Sequence, residues 1–71
     1  MPKLPSVSGK KIIRSLNKMG FIIVRQRGSH VFMQRGEARV TVPLHNPVKK
    51  STLKSIMNQA GVTLDEFLEH L

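Results

Sequence analysis

Two glycine-led dipeptides, Gly28-Ser29 and Gly36-Glu37, divide the segment from Phe21 to Pro43 into three short runs of similar length. A two-residue connection with glycine first is typical of the type II′ turn that joins antiparallel strands. The runs FIIVRQR, HVFMQR and ARVTVP are rich in the β-branched and aromatic residues that favour strands. Pro43 has no amide hydrogen and therefore suits the end of a strand. We predict a three-stranded antiparallel meander, and no other feature constrains the fold as strongly.

The two loops also predict the register of the strands, because a two-residue loop pairs the residues on either side of it. The first loop predicts the pairs Arg27–His30, Arg25–Phe32, Val24–Met33 and Ile22–Arg35. The second loop predicts the pairs Arg35–Ala38, Gln34–Arg39, Met33–Val40, Phe32–Thr41 and Val31–Val42.

Since side chains alternate along a strand, this register sorts them onto two faces. One face is wholly apolar and should be covered by helices; it collects Ile22, Val24, Val31, Met33, Val40 and Val42. The other, which we call the open face, collects Arg25, Arg27, His30, Phe32, Gln34, Arg39 and Thr41, with Ile23. A slip of one residue would mix the two sets, so the sorting supports the register.

Helical patterns flank the meander. Upstream, VSGKKIIRSLNKMGF has an apolar stripe at helical spacing, with Ser8 as a plausible N-cap and Gly20 just past the end. Downstream, we predict a helix from about Ser51 to Ala60, capped by Ser51 or Thr52 and ended by Gly61. A short third helix follows, in which Thr63 and Glu66 stand at capping-box spacing.

These elements predict one α+β domain over residues 1–71, in the order α-β-β-β-α with a short C-terminal helix. The helices should cover one face of the sheet and leave the other in solvent. Residues 1–7 should be a loose arm.

Size and composition exclude several classes of protein. A chain of 71 residues has no room to enclose an organic cofactor, and it contains no cysteine for a disulfide or a thiolate metal site. Its three histidines lie far apart and lack metal-ligand spacing, so we expect neither metal nor cofactor. Neither a signal peptide nor an apolar run long enough to span a membrane is apparent, so we expect a cytoplasmic protein.

Charge points to a polyanionic partner. The chain has 12 Lys and Arg against 4 Asp and Glu, a net charge of +8. All of the cations lie between Lys3 and Lys54, where Glu37 is the only acid. A basic body of this kind attracts nucleic acid, although the same charge could simply keep a surface soluble.

The open face gathers residue types that can act on a phosphodiester. An imidazole suits acid–base work near neutral pH, although His30 could equally be a plain surface residue at a hairpin end. Arg25, Arg27 and Arg39 cluster with it, which favours phosphate contact over a merely solvated face. Phe32 is either a packing residue under the C-terminal tail or a ring on which a base stacks.

Four further candidates lie after the meander. His45 is interpreted more simply as a loop residue than as a second acid or base. Lys49, Lys50 and Lys54 begin the second helix, where cations oppose the helix dipole and so do not stabilise it. A helix N-terminus with added lysines does suit a phosphate, and we count these lysines among the RNA-binding candidates.

Three motifs, taken in order, resemble the HicA family of toxins: Gly-Ser-His at 28–30, Val-Thr-Val-Pro-Leu-His at 40–45 and Ser-Thr-Leu-Lys-Ser-Ile-Met-Asn-Gln-Ala-Gly at 51–61. The resemblance implies a double-stranded-RNA-binding-domain-like fold, mRNA interferase activity and a HicB-type antitoxin as partner. It also implies that His30 is catalytic. Many members have a second histidine where this chain has Val31, a position that the predicted register turns toward the apolar face.

The resulting hypothesis is a toxin that cleaves single-stranded RNA without a metal. One histidine cannot be both base and acid in a concerted step, so His45, a lysine or water would take the second role. A non-catalytic RNA-binding module of the same fold is the main alternative, and turnover would separate the two. A protein-interaction domain that docks an acidic partner is a third, and it predicts no RNA affinity at low salt.

Overall fold

The computed structural model describes residues 4–71 and contains one antiparallel sheet with the strand order β1-β2-β3. The sheet consists of β1 (Ile22–Arg27), β2 (His30–Arg35) and β3 (Ala38–Pro43). The helices are α1 (Gly9–Lys18) before the sheet, and α2 (Lys50–Ala60) and α3 (Leu64–Glu69) after it. The predicted α-β-β-β-α order with a short C-terminal helix is therefore confirmed.

Both turns of the meander have the predicted backbone. The φ angles of Gly28 and Gly36 are +60° and +58°, and no residue other than glycine has a positive φ in the part of the chain that the structure describes. A positive φ at the first central residue followed by a negative one is the type II′ pattern. Glycine is needed first because it adopts this conformation without a steric cost.

The second hairpin has the predicted register throughout. Strand β2 pairs with β3 from Arg35 and Ala38 at the turn to Val31 and Val42 near the other end. The members of the predicted apolar face that lie in these two strands are buried with at most 2% of their surface exposed: Val31, Met33, Val40 and Val42. This part of the predicted apolar face forms one wall of the core.

The predicted register of β1 is correct only near its turn. Arg27 pairs with His30 and Arg25 with Phe32 as expected, but a β-bulge lies between Ile23 and Arg25. Beyond it Ile23, rather than Val24, pairs with Met33, and Ile22 pairs with Gln34 instead of Arg35. A bulge sets two residues of one strand against one of its partner, which shifts every later pair by one.

The predicted core positions Ile22 and Val24 are therefore wrong. Their exposed fractions are 60% and 52%, and Ile23 is 53% exposed although its partner Met33 is buried. The cause is the position of the helices, since α2 packs over β3 at the opposite edge of the sheet and β1 is contacted mainly by α1. The side chains of Ile22, Ile23 and Val24 are therefore left more than half exposed.

Helix α1 has the caps that its sequence predicts. The Ser8 hydroxyl accepts a hydrogen bond from the Lys11 amide at 3.3 Å, and Gly20 has a φ of +100° just after the helix. Arg35 adds a tertiary cap, because its Nη1 donates to the carbonyl of Met19 at 2.8 Å. Its guanidinium also lies 4.7 Å from the centre of the Phe21 ring. The Arg35 side chain therefore has a structural role.

Helix α2 begins within one residue of its predicted start but lacks the predicted side-chain cap. Lys50 is its first residue and Lys49 its N-cap, without a side-chain hydrogen bond, so the predicted cap at Ser51 or Thr52 is wrong. The chain is instead anchored before the helix by Val48, which is 2% exposed and whose amide donates to the Val7 carbonyl at 2.8 Å. Gly61 ends the helix with a φ of +70°, as expected.

Helix α3 is held by both local and tertiary contacts. The capping box predicted for Thr63 and Glu66 is present. Phe67 is fully buried, and its carbonyl accepts a hydrogen bond of 2.9 Å from the buried hydroxyl of Ser15 in α1. This bond fastens the C-terminal helix to the first one.

The segment before α1 does not behave as the predicted loose arm where the structure describes it. Val7 is only 6% exposed and belongs to the core, and Leu4 packs against that core. Residues 1–3 of the predicted arm lie outside the described residues. Within residues 4–71, none of the helices combines the length and apolar character that crossing a membrane requires.

Candidate active site on the open face of the sheet

His30 lies at the mouth of the first hairpin, as the first residue of β2. It pairs with Arg27 of β1 on one side and with Pro43 of β3 on the other, and both His30 and Arg27 are exposed. Directly opposed residues of an antiparallel pair have Cβ atoms about 4.5–5.5 Å apart. The turn at Gly28 thus places an imidazole beside a guanidinium in contact with solvent.

The next pair on the same face joins Arg25 to Phe32. The guanidinium carbon of Arg25 lies 5.6 Å from the centre of the Phe32 ring, within the range of a cation–π contact. Phe32 is half-buried, and its other neighbour is Thr41 of β3. The ring therefore lies in the open sheet face rather than in the core.

The electrostatics of the open face are one-sided. Arg39 pairs with Gln34 and is exposed, so three exposed guanidiniums lie on this face, on Arg25, Arg27 and Arg39. None of the three strands contains an acidic residue. A phosphate that approaches this face would meet hydrogen-bond donors of a single sign of charge.

A cavity of about 350 Å³ opens on this face. Its lining includes Arg25, Phe32 and Arg39, which the sequence pointed to, and Val24, which the sequence assigned to the core. The bulge cannot be inferred from the apolar pattern, so no sequence signal would have identified Val24. Gln34 and Thr41 also line the cavity; the predicted register placed them on this face, but their polar type alone did not mark them as site residues.

His45 lies near the same end of the sheet. The amide of Leu44 donates to the carbonyl of Ser29 at 2.7 Å, and the amide of Gly9 donates to the carbonyl of His45 at 2.8 Å. The loop is thereby tied both to the hairpin turn and to α1. Because Pro43 pairs with His30 at a Cα distance of at most about 5.5 Å, and two residues span at most about 7 Å, the Cα atoms of His30 and His45 lie within about 13 Å.

The His45 side chain is exposed and borders a second, smaller cavity of about 220 Å³. This cavity is also lined by Ser8 and Lys10 from the start of α1. The loop therefore presents His45 between the hairpin and the first turn of a helix.

The three lysines of α2 are not brought to the open face. Lys49, Lys50 and Lys54 are exposed at the start of a helix whose Leu53 and Ile56 are buried in the core. This helix lies in the layer opposite the open face. The structure therefore divides the predicted site into a sheet group around His30 and a separate lysine group.

The donor set of the sheet group consists of imidazole, guanidinium, amide and hydroxyl groups. Across residues 4–71, no three His, Cys, Asp or Glu side chains stand close enough together to hold a metal ion. Such a set can transfer a proton and offset negative charge. Fold and face together define a small α+β domain with a basic, histidine-bearing sheet suited to a phosphodiester backbone.

Comparison with known families agrees with this class. The family model described as the HicA toxin of bacterial toxin–antitoxin matches residues 9–62, from the start of α1 to just beyond α2. The chain therefore belongs to the HicA family and is a toxin of the toxin–antitoxin type, which confirms the resemblance seen in the three motifs. A search of curated proteins finds no significant match.

Proposed function

We propose that this chain cleaves single-stranded mRNA endonucleolytically, without a metal ion, and that His30 is its catalytic residue. The observation that carries the proposal is the pairing of His30 with Arg27 at the hairpin mouth, where an exposed imidazole stands beside a guanidinium. Family membership supports the substrate class, because HicA toxins act as mRNA interferases.

In the proposed reaction the imidazole of His30 removes the proton of a 2′-hydroxyl or protonates the leaving 5′-oxygen. The 2′-oxygen bonds to phosphorus while the bond from phosphorus to the 5′-oxygen breaks. The products are a 2′,3′-cyclic phosphate and a 5′-hydroxyl. Arg25, Arg27 and Arg39 offset the negative charge that grows on the phosphoryl oxygens. DNA has no 2′-hydroxyl and is a poor substrate on this scheme.

A second group must carry the other proton, and His45 is our candidate. The loop that carries it is hydrogen-bonded to Ser29, the residue directly before His30, and its side chain is exposed. A lysine or a water molecule could fill the same role. If His45 is the partner, His45→Ala should slow cleavage while leaving RNA affinity nearly unchanged.

The remaining candidates bind RNA in this proposal. Phe32 offers a ring on which an unpaired base stacks. Lys49, Lys50 and Lys54 hold backbone phosphates away from the cleaved bond, next to the N-terminus of α2. Binding should therefore weaken steeply as salt is added.

The test compares purified wild type with His30→Ala on end-labelled single-stranded RNA in the presence of a chelator. Loss of an acid–base group typically slows a reaction about 10²- to 10⁴-fold, and we expect that loss with RNA binding retained. His70→Ala is the matched control, because the imidazole Nδ1 of His70 lies 2.7 Å from the carbonyl oxygen of Glu66 in the C-terminal turn. Equal cleavage by wild type and His30→Ala would refute the proposal.

A non-catalytic RNA-binding module is the second candidate, and the acid-free basic sheet supports it as well. The same assay separates the two, since a module would bind the labelled RNA and leave it intact. We further propose that a HicB-like antitoxin silences the toxin by covering the open face. The site of action would be the cytoplasm, where mRNA is present.

A further inference from the structure

The proposed chemistry gives roles to Phe32, Arg25 and Arg39 but none to the cavity of about 350 Å³ that they line on the open face. It is built by the bulge in β1, which sets both Val24 and Arg25 against the single residue Phe32. Without that extra residue Val24 would face the opposite side of the sheet. The cavity has apolar surface from Val24 and Phe32 and polar groups from Arg25, Gln34, Arg39 and Thr41.

The cavity lies next to the proposed catalytic residue along β2. His30 and Phe32 are two residues apart on one face of the strand, which is about 6.5 Å. Successive nucleotides of an extended RNA strand are separated by a comparable distance. A phosphate held at His30 would therefore bring a neighbouring base to Phe32.

The groups around the cavity are complementary to a flat ring with a polar edge. Phe32 supplies an aromatic face, and Arg25 lies over that ring at 5.6 Å. The Gln34 side-chain amide already donates from Nε2 to the carbonyl of Gly36 at 2.8 Å, so its Oε1 is left as an acceptor. Arg39 adds hydrogen-bond donors, and the Thr41 hydroxyl can either donate or accept a hydrogen bond.

We propose that this cavity binds one unpaired nucleobase next to the cleaved phosphate and thereby sets the base preference of the toxin. Phe32 stacks on the base, Val24 closes the apolar side, and Gln34 with Thr41 distinguishes the polar edges of the four bases. The inference rests on the proposed function for its substrate, but base recognition can be measured without any cleavage.

The experiment uses four 2′-O-methyl homo-oligonucleotides of eight residues, which lack the reactive hydroxyl, with fluorescence anisotropy as the readout. Wild type should bind them with different affinities. Phe32→Leu keeps an apolar side chain but removes the stacking ring, and it should weaken the preferred oligonucleotide roughly 5- to 100-fold. Gln34→Leu should change the order of the four affinities while leaving the salt dependence unchanged, because no phosphate contact is lost.

Gln59→Leu is the matched control, since Gln59 is exposed on α2 and far from the open face. Thermal unfolding of each variant shows whether the fold is intact, and Gln34→Leu serves if Phe32→Leu does not fold. If a folded variant binds the four oligonucleotides with the affinities and in the order of wild type, the inference is overturned. The same result is expected if the cavity holds a side chain of a protein partner instead of a base. If His30→Ala cleaves like wild type but the base order depends on Gln34, the proposed catalysis fails and base recognition stands.

Discussion

Gly9 offers a test of how the proposed site is held in place, because two physical rules predict opposite outcomes for Gly9→Ala. Gly9 is the first residue of α1, and alanine is a better helix former than glycine by about 1 kcal/mol. Helix propensity therefore predicts a more stable protein. Tertiary packing predicts the reverse.

The packing cost follows from the surroundings of the Gly9 Cα. A methyl group there would fall on the carbonyl oxygen of Pro43 and lie 3.0 Å from the Cα of Leu44. Both atoms are backbone and cannot rotate away. Overpacking of this kind costs about 1–3 kcal/mol, and the hydrogen bond from Gly9 to His45 would add about 1 kcal/mol if it broke. Less the gain of about 1 kcal/mol in helix propensity, we expect a net loss of about 1–3 kcal/mol.

In a domain of this size, 1 kcal/mol corresponds to about 4–8 °C in the unfolding temperature, so Gly9→Ala should melt about 4–24 °C below wild type. Thermal unfolding followed by circular dichroism measures this. Asn58→Ala is the control, because Asn58 is exposed within α2 and gains helix propensity without a collision. A Gly9→Ala protein that melts at or above the wild-type temperature would refute the packing argument.

Two further predictions concern the core and the sheet edge. Ser15→Ala removes the hydrogen bond to the carbonyl of Phe67, although that carbonyl still accepts a hydrogen bond from the amide of His70 at 3.2 Å. We therefore expect the free energy of unfolding, measured in urea, to fall by about 1 kcal/mol. An unchanged free energy of unfolding would show that Ser15 does not fasten α3. Replacing Ile22 and Ile23 together by threonine should change stability by less than about 1 kcal/mol, because both are more than half exposed. Light scattering should show less self-association of the same double variant than of wild type at high protein concentration. A loss of stability as large as that of a core substitution would contradict the exposure of the β1 edge.

Much of the fold was predictable because its signals are local. The glycines at 28 and 36 specify the turns, the turns specify the pairing next to them, and the alternation assigns Val31, Met33, Val40 and Val42 to the core. The pairing of His30 with Arg27 followed from the same reasoning. The Thr63–Glu66 capping box was equally visible, since a cap involves residues only three positions apart.

The errors share a different cause. The bulge at Val24 and the exposure of Ile22 leave no trace in the local pattern, because an apolar run on an edge strand looks the same as one in the core. The predicted cap of α2 is wrong because Val48 anchors the chain through Val7, 41 positions earlier, rather than through a local side chain. The same long-range packing places Val7 in the core and Leu4 against it, where the sequence predicts a loose arm.

The candidate site divides along the same line. The chain's own order of residues is enough to place His30, Arg25 and Arg27 on one face, because a tight turn fixes the pairing next to it and side chains alternate from there. The cavity beside Phe32, the approach of the His45 loop to the hairpin and the separation of the α2 lysines from the sheet come from three-dimensional packing. They depend on contacts between distant segments, and such contacts are settled by the burial of the whole core rather than by any single stretch of sequence.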